Sequence, residues 1–153
     1  MKKLLTVGLL IARSVSGSPD IRPASLADRV RSADVIAVVS VSGVTASTHT
    51  NAAGVRITVF VGDAAVERTL KGRLPEKVRL KNEAAASVFS QWHLGTSRFL
   101  VFLKRSGDFY APADSYGLAP VFGSGLPNDC RVLWPDCTTL EEAETAIQRV
   151  VKK

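Results

Sequence analysis

Two cysteines and two histidines carry the most versatile side-chain chemistry in this chain. Cys130 and Cys137 are separated by six residues, in NDCRVLWPDCTT. An even number of cysteines at short spacing is typical of a disulfide in an oxidising compartment, and closing so small a loop would stabilise the fold by roughly 2.5 kcal/mol. We therefore predict a Cys130–Cys137 disulfide, with two independent thiols as the alternative. His49 and His93 lie far from both cysteines, so the spacing does not indicate a zinc site.

The sequence offers no arrangement of residues that is typical of catalysis. A nucleophile elbow needs glycines two positions on either side of its serine, whereas Gly123 and Gly125 lie one position from Ser124. No glycine-rich phosphate loop and no pair of metal-binding carboxylates stands out. His49 has neither an acid nor a nucleophile that the sequence assigns to it. We predict a protein that is not an enzyme, with no catalytic or metal site and no cofactor.

A basic strand face is the one surface that the sequence offers for binding. Residues 55–61 and 77–81 both alternate between apolar and other side chains, as strands with two different faces do. Pairing of the two strands would bring together the residues Arg56, Phe60, Lys77, Arg79 and Lys81. Cations beside an aromatic ring are a combination that binds anionic polymers such as single-stranded nucleic acid. The alternative is a solvated face whose charges discourage aggregation through strand edges.

Residues 1–17 have the layout of a secretory signal peptide. Lys2 and Lys3 form a positive start, residues 4–12 form an apolar run, and small residues lead up to Gly17. Nine apolar residues are too few to span a bilayer, so we predict cleavage near Gly17 rather than a membrane span. The alternative is the N-terminal helix of a cytosolic protein, because Arg13 inside the cleavage region is atypical.

Export would set the location and lower the charge of the mature chain. We expect a periplasmic, cell-envelope or secreted protein. The formal charge of +6 comes from 20 Lys and Arg against 14 Asp and Glu. Removing Lys2, Lys3 and Arg13 leaves 17 basic against 14 acidic residues, or +3, which weakens the case for a nucleic-acid partner. Residues 18–153 have the length of a single domain.

Most of the mature chain has the patterns of β-strands. Residues 35–41 form a β-branched apolar run, typical of a strand buried on both faces, and a polar loop is predicted at 45–54. Residues 55–69 read as one long strand that bends or bulges at Gly62, where the apolar phase slips. Shorter strands are predicted at 77–81, 99–103 and 109–111, with weaker candidates at 131–134 and, as an edge strand containing Pro120, at 117–122.

Helix patterns occur near both ends and in the middle of the chain. Ser25 is the expected N-cap of a short helix ending around Ser32. Residues 83–93 favour a helix because they contain three alanines. Thr138 and Thr139 each stand three positions before a glutamate, so each can form a capping box. The apolar stripe of the C-terminal helix that follows consists of Leu140, Ala143, Ile147, Val150 and Val151.

The order of these elements and three short motifs resemble the netrin-like modules, an OB-fold group that includes the tissue inhibitors of metalloproteinases. The motifs are Ala33-Asp34 in SADVIAVVSVSGV, Leu70-Lys71-Gly72 in VERTLKGRLPEKVRL, and the glycine before the apolar strand in GTSRFLVFL. They span residues 25 to about 112, and the chain also looks like exported bacterial proteins of the same plan. The resemblance implies a mainly β fold: a five-stranded OB-like barrel with a short N-terminal helix and a C-terminal amphipathic helix.

The chain departs from the inhibitors at the residues that inhibit. Those proteins chelate the protease zinc through an N-terminal cysteine, whereas no cysteine here precedes Cys130. The resemblance therefore implies the architecture and not the inhibition. We expect an exported, monomeric, non-enzymatic binding module for an unidentified partner. The alternative is a binder of polyanions, either acidic glycan or nucleic acid, through the basic strand face.

Overall fold

The computed structural model describes residues 25–85, 97–114, 117–126 and 138–153. This part of the chain contains two helices, α1 (Leu26–Ser32) and α2 (Leu140–Val151). Its strands are β1 (Val35–Thr50), β2 (Arg56–Lys71), β3 (Lys77–Ala85), β4 (Arg98–Ser106), β5 (Phe109–Pro112) and β6 (Leu118–Pro120). The prediction of a mainly β fold with a helix toward each end is confirmed. Neither described helix combines the length and the apolarity needed to cross a membrane.

The six strands form one sheet in the order β1-β2-β3-β5-β4-β6, and β1 also pairs with β4. This second pairing closes a ring through five strands. The ring closes because β1 is long: residues 35–40 pair with β4, while residues 36–50 pair with β2. The β3–β5 contact is parallel, with Leu80 opposite Tyr110. β6 lies outside the ring beside β4, and Pro120 suits the edge position predicted for it.

Residues 35–41 of β1 and 99–103 of β4 are buried on both faces apart from the half-buried Ser40, as the apolar run at 35–41 predicts. Alternate residues of both strands enter an inner cluster with side chains from β2 and β3: Val35, Ala37, Val39, Val41, Phe99, Val101, Leu103, Phe60, Ala64, Val78 and Leu80. The other residues of β1 and β4 pack against the helices in a second cluster: Ile36, Val38, Leu100, Phe102, Val30, Leu140, Ala143 and Ile147. Each cluster is therefore built from long-range contacts, which the period-2 pattern of the strands makes possible.

The N-caps of both helices form as their sequences predict. The Ser25 hydroxyl accepts the backbone N–H of Asp28. At α2, Thr139 and Glu142 form the capping box, and the backbone N–H of Thr138 donates to the same glutamate at 2.7 Å. These hydrogen bonds lower the pKa of Glu142, chiefly through Thr138. A charged carboxylate thus stays at the positive end of the α2 dipole.

The Leu-Lys-Gly turn contacts both the end of α1 and the start of β1. Lys71 Nζ donates to the carbonyls of Val30 at 2.6 Å and Ala33 at 2.5 Å, which lie at the C-terminal end of α1. Gly72 follows with φ of 75°, and a Cβ placed there would lie 2.6 Å from the Asp34 carbonyl oxygen. Two of the motifs that carry the netrin-like resemblance therefore meet at one junction of the fold.

The polar loop predicted at 45–54 is wrong for residues 45–50, which continue β1. Their register against β2 runs from Thr45 opposite Val61 to Thr50 opposite Arg56. Small and β-branched polar side chains are compatible with a strand once a partner strand is present. The turn is short, and Asn51 closes it because its side-chain oxygen accepts the N–H groups of Ala53 and Val55 at 3.0 and 2.9 Å.

The predicted single long strand is confirmed in β2, but the irregularity at Gly62 is on the partner strand β1. The β2–β3 register runs without a shift through Gly62. Against β1, strand β2 carries an extra residue at Glu67 and at Leu70. Opposite Gly62 the extra residue is on β1, between Ser42 and Thr45, where Gly43 has φ of 60°. A glycine with positive φ is typical of such a bulge.

The helix predicted at 83–93 is wrong for residues 83–85, which extend β3 and pair with residues 57–59 of β2. A partner strand here overrides the helix preference of alanine. The remaining residues of the predicted helix, 86–93, lie outside the described part of the chain. So do the predicted signal peptide at 1–17, the strand at 131–134, and both Cys130 and Cys137.

Candidate functional site

Strand β3 turns a row of cations toward solvent. Val78 and Leu80 point into the inner cluster, so the residues between and beside them, Lys77, Arg79 and Lys81, face outward. The Arg79 side chain is 61% exposed and that of Lys81 36% exposed. Alternate residues of a strand are about 7 Å apart, so the three charges form an evenly spaced row.

The other two residues of the predicted basic face do not join this row. Phe60 is only 7% exposed and belongs to the inner cluster. Arg56 is the first residue of β2, four positions before Phe60, and it therefore lies on the same face of the strand as Phe60 and not beside the three cations. The residues of β2 that stand beside the cations are instead Val61, Asp63 and Ala65, opposite Lys81, Arg79 and Lys77 respectively. The five predicted residues therefore do not make one surface.

An aromatic ring does support the row, but it comes from β5. The guanidinium carbon of Arg79 lies 4.8 Å from the centroid of the Phe109 ring. A cation over an aromatic face is attracted by the ring quadrupole and is held in place by it. The sequence placed Phe109 in a hairpin strand, but only the β3–β5 pairing brings that strand beside β3. We call Lys77, Arg79, Lys81 and Phe109 the β3 face.

Acidic side chains balance part of the charge on the β3 face. Glu83 Oε1 lies 2.8 Å from Lys81 Nζ, and this hydrogen bond lowers the pKa of Glu83. Asp63 Oδ1 lies 4.0 Å from Arg79 Nε, at the limit of an ion pair. Lys77 has no ion pair with a described residue. The face is therefore one of mixed charge with a cationic excess at the Lys77 end.

Among the clefts lined by described residues, two open along β3. The first has a volume of about 480 Å³ and is lined by charged side chains (Asp63, Lys77, Arg79 and Asp108), by Ser42 and Tyr110, and by small or apolar residues. The second, of about 380 Å³, is lined mainly by polar side chains, among them Lys81, Asn82, Glu83, Ser106 and Asp114. Both clefts include residues of the β3 face, so a ligand on this face would have concave surface on either side of Arg79.

Away from the β3 face, Arg98 and Glu67 form an ion pair between β4 and β2. Arg98 donates to Glu67 Oε2 from Nε at 2.9 Å and from Nη2 at 2.8 Å, and the Ser40 hydroxyl donates to Glu67 Oε1 at 2.8 Å. These bonds, Arg98 first, lower the pKa of Glu67, and the same pair raises the pKa of Arg98. Both groups stay ionised at neutral pH. A general acid would need the opposite shift.

His49 lies exposed on β1 opposite Ile57. The described residues contain no group of three or more His, Cys, Asp or Glu side chains that could hold a metal ion.

The chain matches no model of a known protein family and no curated protein. The function must therefore be inferred from the β3 face and its surroundings.

Proposed function

We propose that this protein is a non-enzymatic binding module that holds a macromolecular partner on the β3 face. The observation that carries the proposal is the unequal covering of the ring. The helix-side cluster packs α1 and α2 over β1 and β4, whereas no described helix covers the outer side of β3. That uncovered side carries three cations, one of them the Arg79 guanidinium held over an aromatic ring, and a cleft of about 480 Å³.

We also propose that the ring is an OB-like barrel of the netrin-like kind. Its support is the closed order β1-β2-β3-β5-β4 together with the long first strand that pairs on both sides. OB folds bind their ligands across the face of the second and third strands, and the β3 face lies there. A shared architecture does not carry a shared activity, so metalloprotease inhibition is not part of the proposal.

Export is the third element of the proposal, and residues 1–17 support it. The tripartite layout predicts a mature N-terminus near Ser18. Mass spectrometry of the protein purified from its host should find that mature species. A full-length species beginning at Met1 or Lys2 would contradict export.

The charge pattern favours a protein partner over a polyanion. Polyanion binding gains most from cations that are free to neutralise phosphates or sulfates. On the β3 face, Lys81 already pairs with Glu83, and Asp63 stands beside Arg79. A partner that offers an acidic group toward Lys77 and Arg79 and a basic group toward Asp63 would match this pattern, since complementary charges set specificity.

The test is a comparison of partner capture by matched variants. The wild-type protein would be cross-linked in an envelope extract of its host beside Lys77→Ala/Arg79→Ala and the control Arg149→Ala/Lys152→Ala. The control removes two exposed cations from the region of α2, away from the β3 face. We expect one partner to be captured by the wild type and the control and lost from the first variant. Equal capture by all three would contradict the proposal.

A polyanion is the second candidate, favoured by the even spacing of the three cations. Titration with heparin and with single-stranded DNA over a range of salt would then give affinities that fall steeply with salt. The variant Arg79→Gln/Lys81→Gln should reduce the slope of log K against log salt by roughly 1.5, at about 0.7–0.9 per lost contact. Phe109→Ala should weaken binding without changing that slope. Absence of binding at low salt would exclude this candidate and leave the protein partner.

A further inference from the structure

The larger cleft beside β3 gathers charges of both signs. Its lining includes the cations Lys77 and Arg79 and the carboxylates Asp63 and Asp108. The side chains of Lys77 and Asp108 form no hydrogen bond or ion pair with a described residue. Arg79 and Asp63 contact each other only at 4.0 Å. The cleft therefore contains four charged groups whose pairing within the described chain is weak or absent.

A ligand that carries charge of only one sign does not suit this cleft. A polyanion would bring negative groups close to Asp63 and Asp108, and a cation would meet Lys77 and Arg79. Each would be repelled as well as attracted, and such like-charge contacts are what suppresses binding of the wrong partner. A ligand with one negative and one positive group has a complement for both pairs of side chains.

The register of β2 against β3 sets the distance between the two kinds of charge. Asp63 stands opposite Arg79, and Lys77 is two positions before Arg79 on β3, so Lys77 is the diagonal neighbour of Asp63. Diagonal neighbours on one face of an antiparallel pair are about 7–8 Å apart. Alternate side chains of an extended peptide lie on one side of it and are about 7 Å apart. Two alternate residues of such a peptide therefore match the spacing of Lys77 and Asp63.

We propose that the cleft holds an extended segment of the partner in which an acidic residue and a basic residue are two positions apart. The acidic side chain binds Lys77 and Arg79, and the basic side chain binds Asp63 and Asp108. This inference rests on the proposed function, because it specifies which part of the macromolecular partner meets the β3 face.

A peptide suits the exposure of these charges better than a free small molecule does. The side chains of Arg79 and Asp63 are 61% and 72% exposed, and charges surrounded by water attract a ligand weakly. A peptide also offers backbone groups to the hydroxyls of Ser42 and Tyr110, which line the cleft and form no hydrogen bond with a described residue. The cleft volume of about 480 Å³ has room for a few residues, so the rest of the partner would lie over the β3 face.

Titration of the isotope-labelled protein with four capped peptides, followed by NMR, tests both the charges and their spacing. The first peptide is acetyl-Ala-Ala-Glu-Ala-Arg-Ala-Ala-amide. Gln replaces Arg in the second and Glu in the third, and the fourth has Glu and Arg adjacent, so that they point to opposite sides of an extended chain. We expect the first to bind about threefold tighter than each of the others and to shift the amide signals of residues 77–79. Equal affinities, or no such shift with the first peptide up to about 10 mM, would overturn the proposal.

Asp63→Asn tests the carboxylate side of the cleft. Because the variant keeps the cations, it should bind the acidic second peptide at least as well as the wild type does. It should lose the preference for the first peptide over the second. The control Glu141→Gln removes an exposed carboxylate from α2, away from the cleft, and should keep that preference. A preference that survives in Asp63→Asn would overturn the proposal.

Partner capture separates a failure of this inference from a failure of the proposed function. In the cross-linking experiment described above, we expect Asp63→Asn/Asp108→Asn to lose the partner as Lys77→Ala/Arg79→Ala does. If only the cation variant loses it, the partner binds through its acidic groups alone; the proposed function then stands and this inference is wrong. Equal capture by the wild type and both variants would contradict the two proposals together.

Discussion

Truncating Ile147 to alanine should lower the free energy of unfolding by about 2–5 kcal/mol, the range for removing a fully buried aliphatic side chain. Ile147 has no solvent exposure and packs in the helix-side cluster with Leu140, Ala143 and residues of β1 and β4. The variant would leave a cavity between α2 and the sheet. Chemical denaturation of wild type and variant measures the loss.

Val151→Ala is the matched control for this prediction. Val151 lies one turn further along α2 and is 39% exposed. Its truncation should change the free energy of unfolding by about 0.5 kcal/mol or less, since alanine also favours the helix. If Ile147→Ala unfolds like the control, α2 is not docked on the sheet in solution. The helix would then be available for a partner, and the case for the β3 face as the partner-binding surface would weaken.

Replacing Gly72 with alanine should destabilise the protein by roughly 2–5 kcal/mol, the sum of a conformational and a steric cost. The φ of 75° lies in the left-handed region, which costs a residue with a Cβ roughly 1–2 kcal/mol. The new Cβ would also lie 2.6 Å from the backbone oxygen of Asp34, and such overpacking costs about 1–3 kcal/mol. The Asp34 oxygen is a backbone atom, so it cannot move aside as the end of a flexible side chain could. The junction between α1, β1 and the Leu-Lys-Gly turn would have to shift.

Gly54→Ala separates the two costs. Gly54 has nearly the same φ, 77°, but a Cβ there meets nothing within 4 Å. It should lose only the conformational part, roughly 1–2 kcal/mol. Thermal and denaturant unfolding of the two variants side by side gives the difference. Equal losses would mean that the close approach of Gly72 to Asp34 does not contribute to stability.

Lys71 and Gly72 show that the motifs behind the netrin-like resemblance have structural roles. Lys71 binds the carbonyls at the end of α1, and Gly72 allows the turn to approach β1. Neither residue belongs to the β3 face. A family that shares these motifs would share the junction, while the partner-binding residues could differ between its members. The distinction agrees with a fold that carries different functions on one architecture.

The sequence by itself determined the features that depend on neighbouring residues. The N-cap of α1 and the capping box of α2 formed at Ser25 and Thr139 because capping involves residues three positions apart. The stripe of α2 was also predicted, and it is buried at Leu140, Ala143 and Ile147. The prediction is wrong for Val151, which lies at the end of the helix and is 39% exposed. The burial of residues 35–41 on both faces followed from their nearly continuous apolarity, because a strand with one face in solvent would alternate apolar with polar residues.

Tertiary structure decided which side of β2 faces inward. The alternation from Val55 to Val61 predicts Phe60 outside, but the described ring buries Phe60, Gly62 and Ala64 instead. The inward phase depends on which residues stand opposite across the ring, and a period-2 pattern alone is compatible with either side. For the same reason residues 45–50 were predicted as a loop, because only the pairing with β2 makes them a strand.

The candidate site shows the same division. The outward row of Lys77, Arg79 and Lys81 was readable from alternation within β3 alone, because Val78 and Leu80 leave only one apolar side. The contact between Arg79 and the Phe109 ring could not be predicted from the sequence. Phe109 is 30 positions from Arg79 along the chain and reaches it only through the parallel β3–β5 pairing. Local periodicity specifies the face of a strand, whereas its neighbours depend on contacts between distant residues that only the folded sheet brings together.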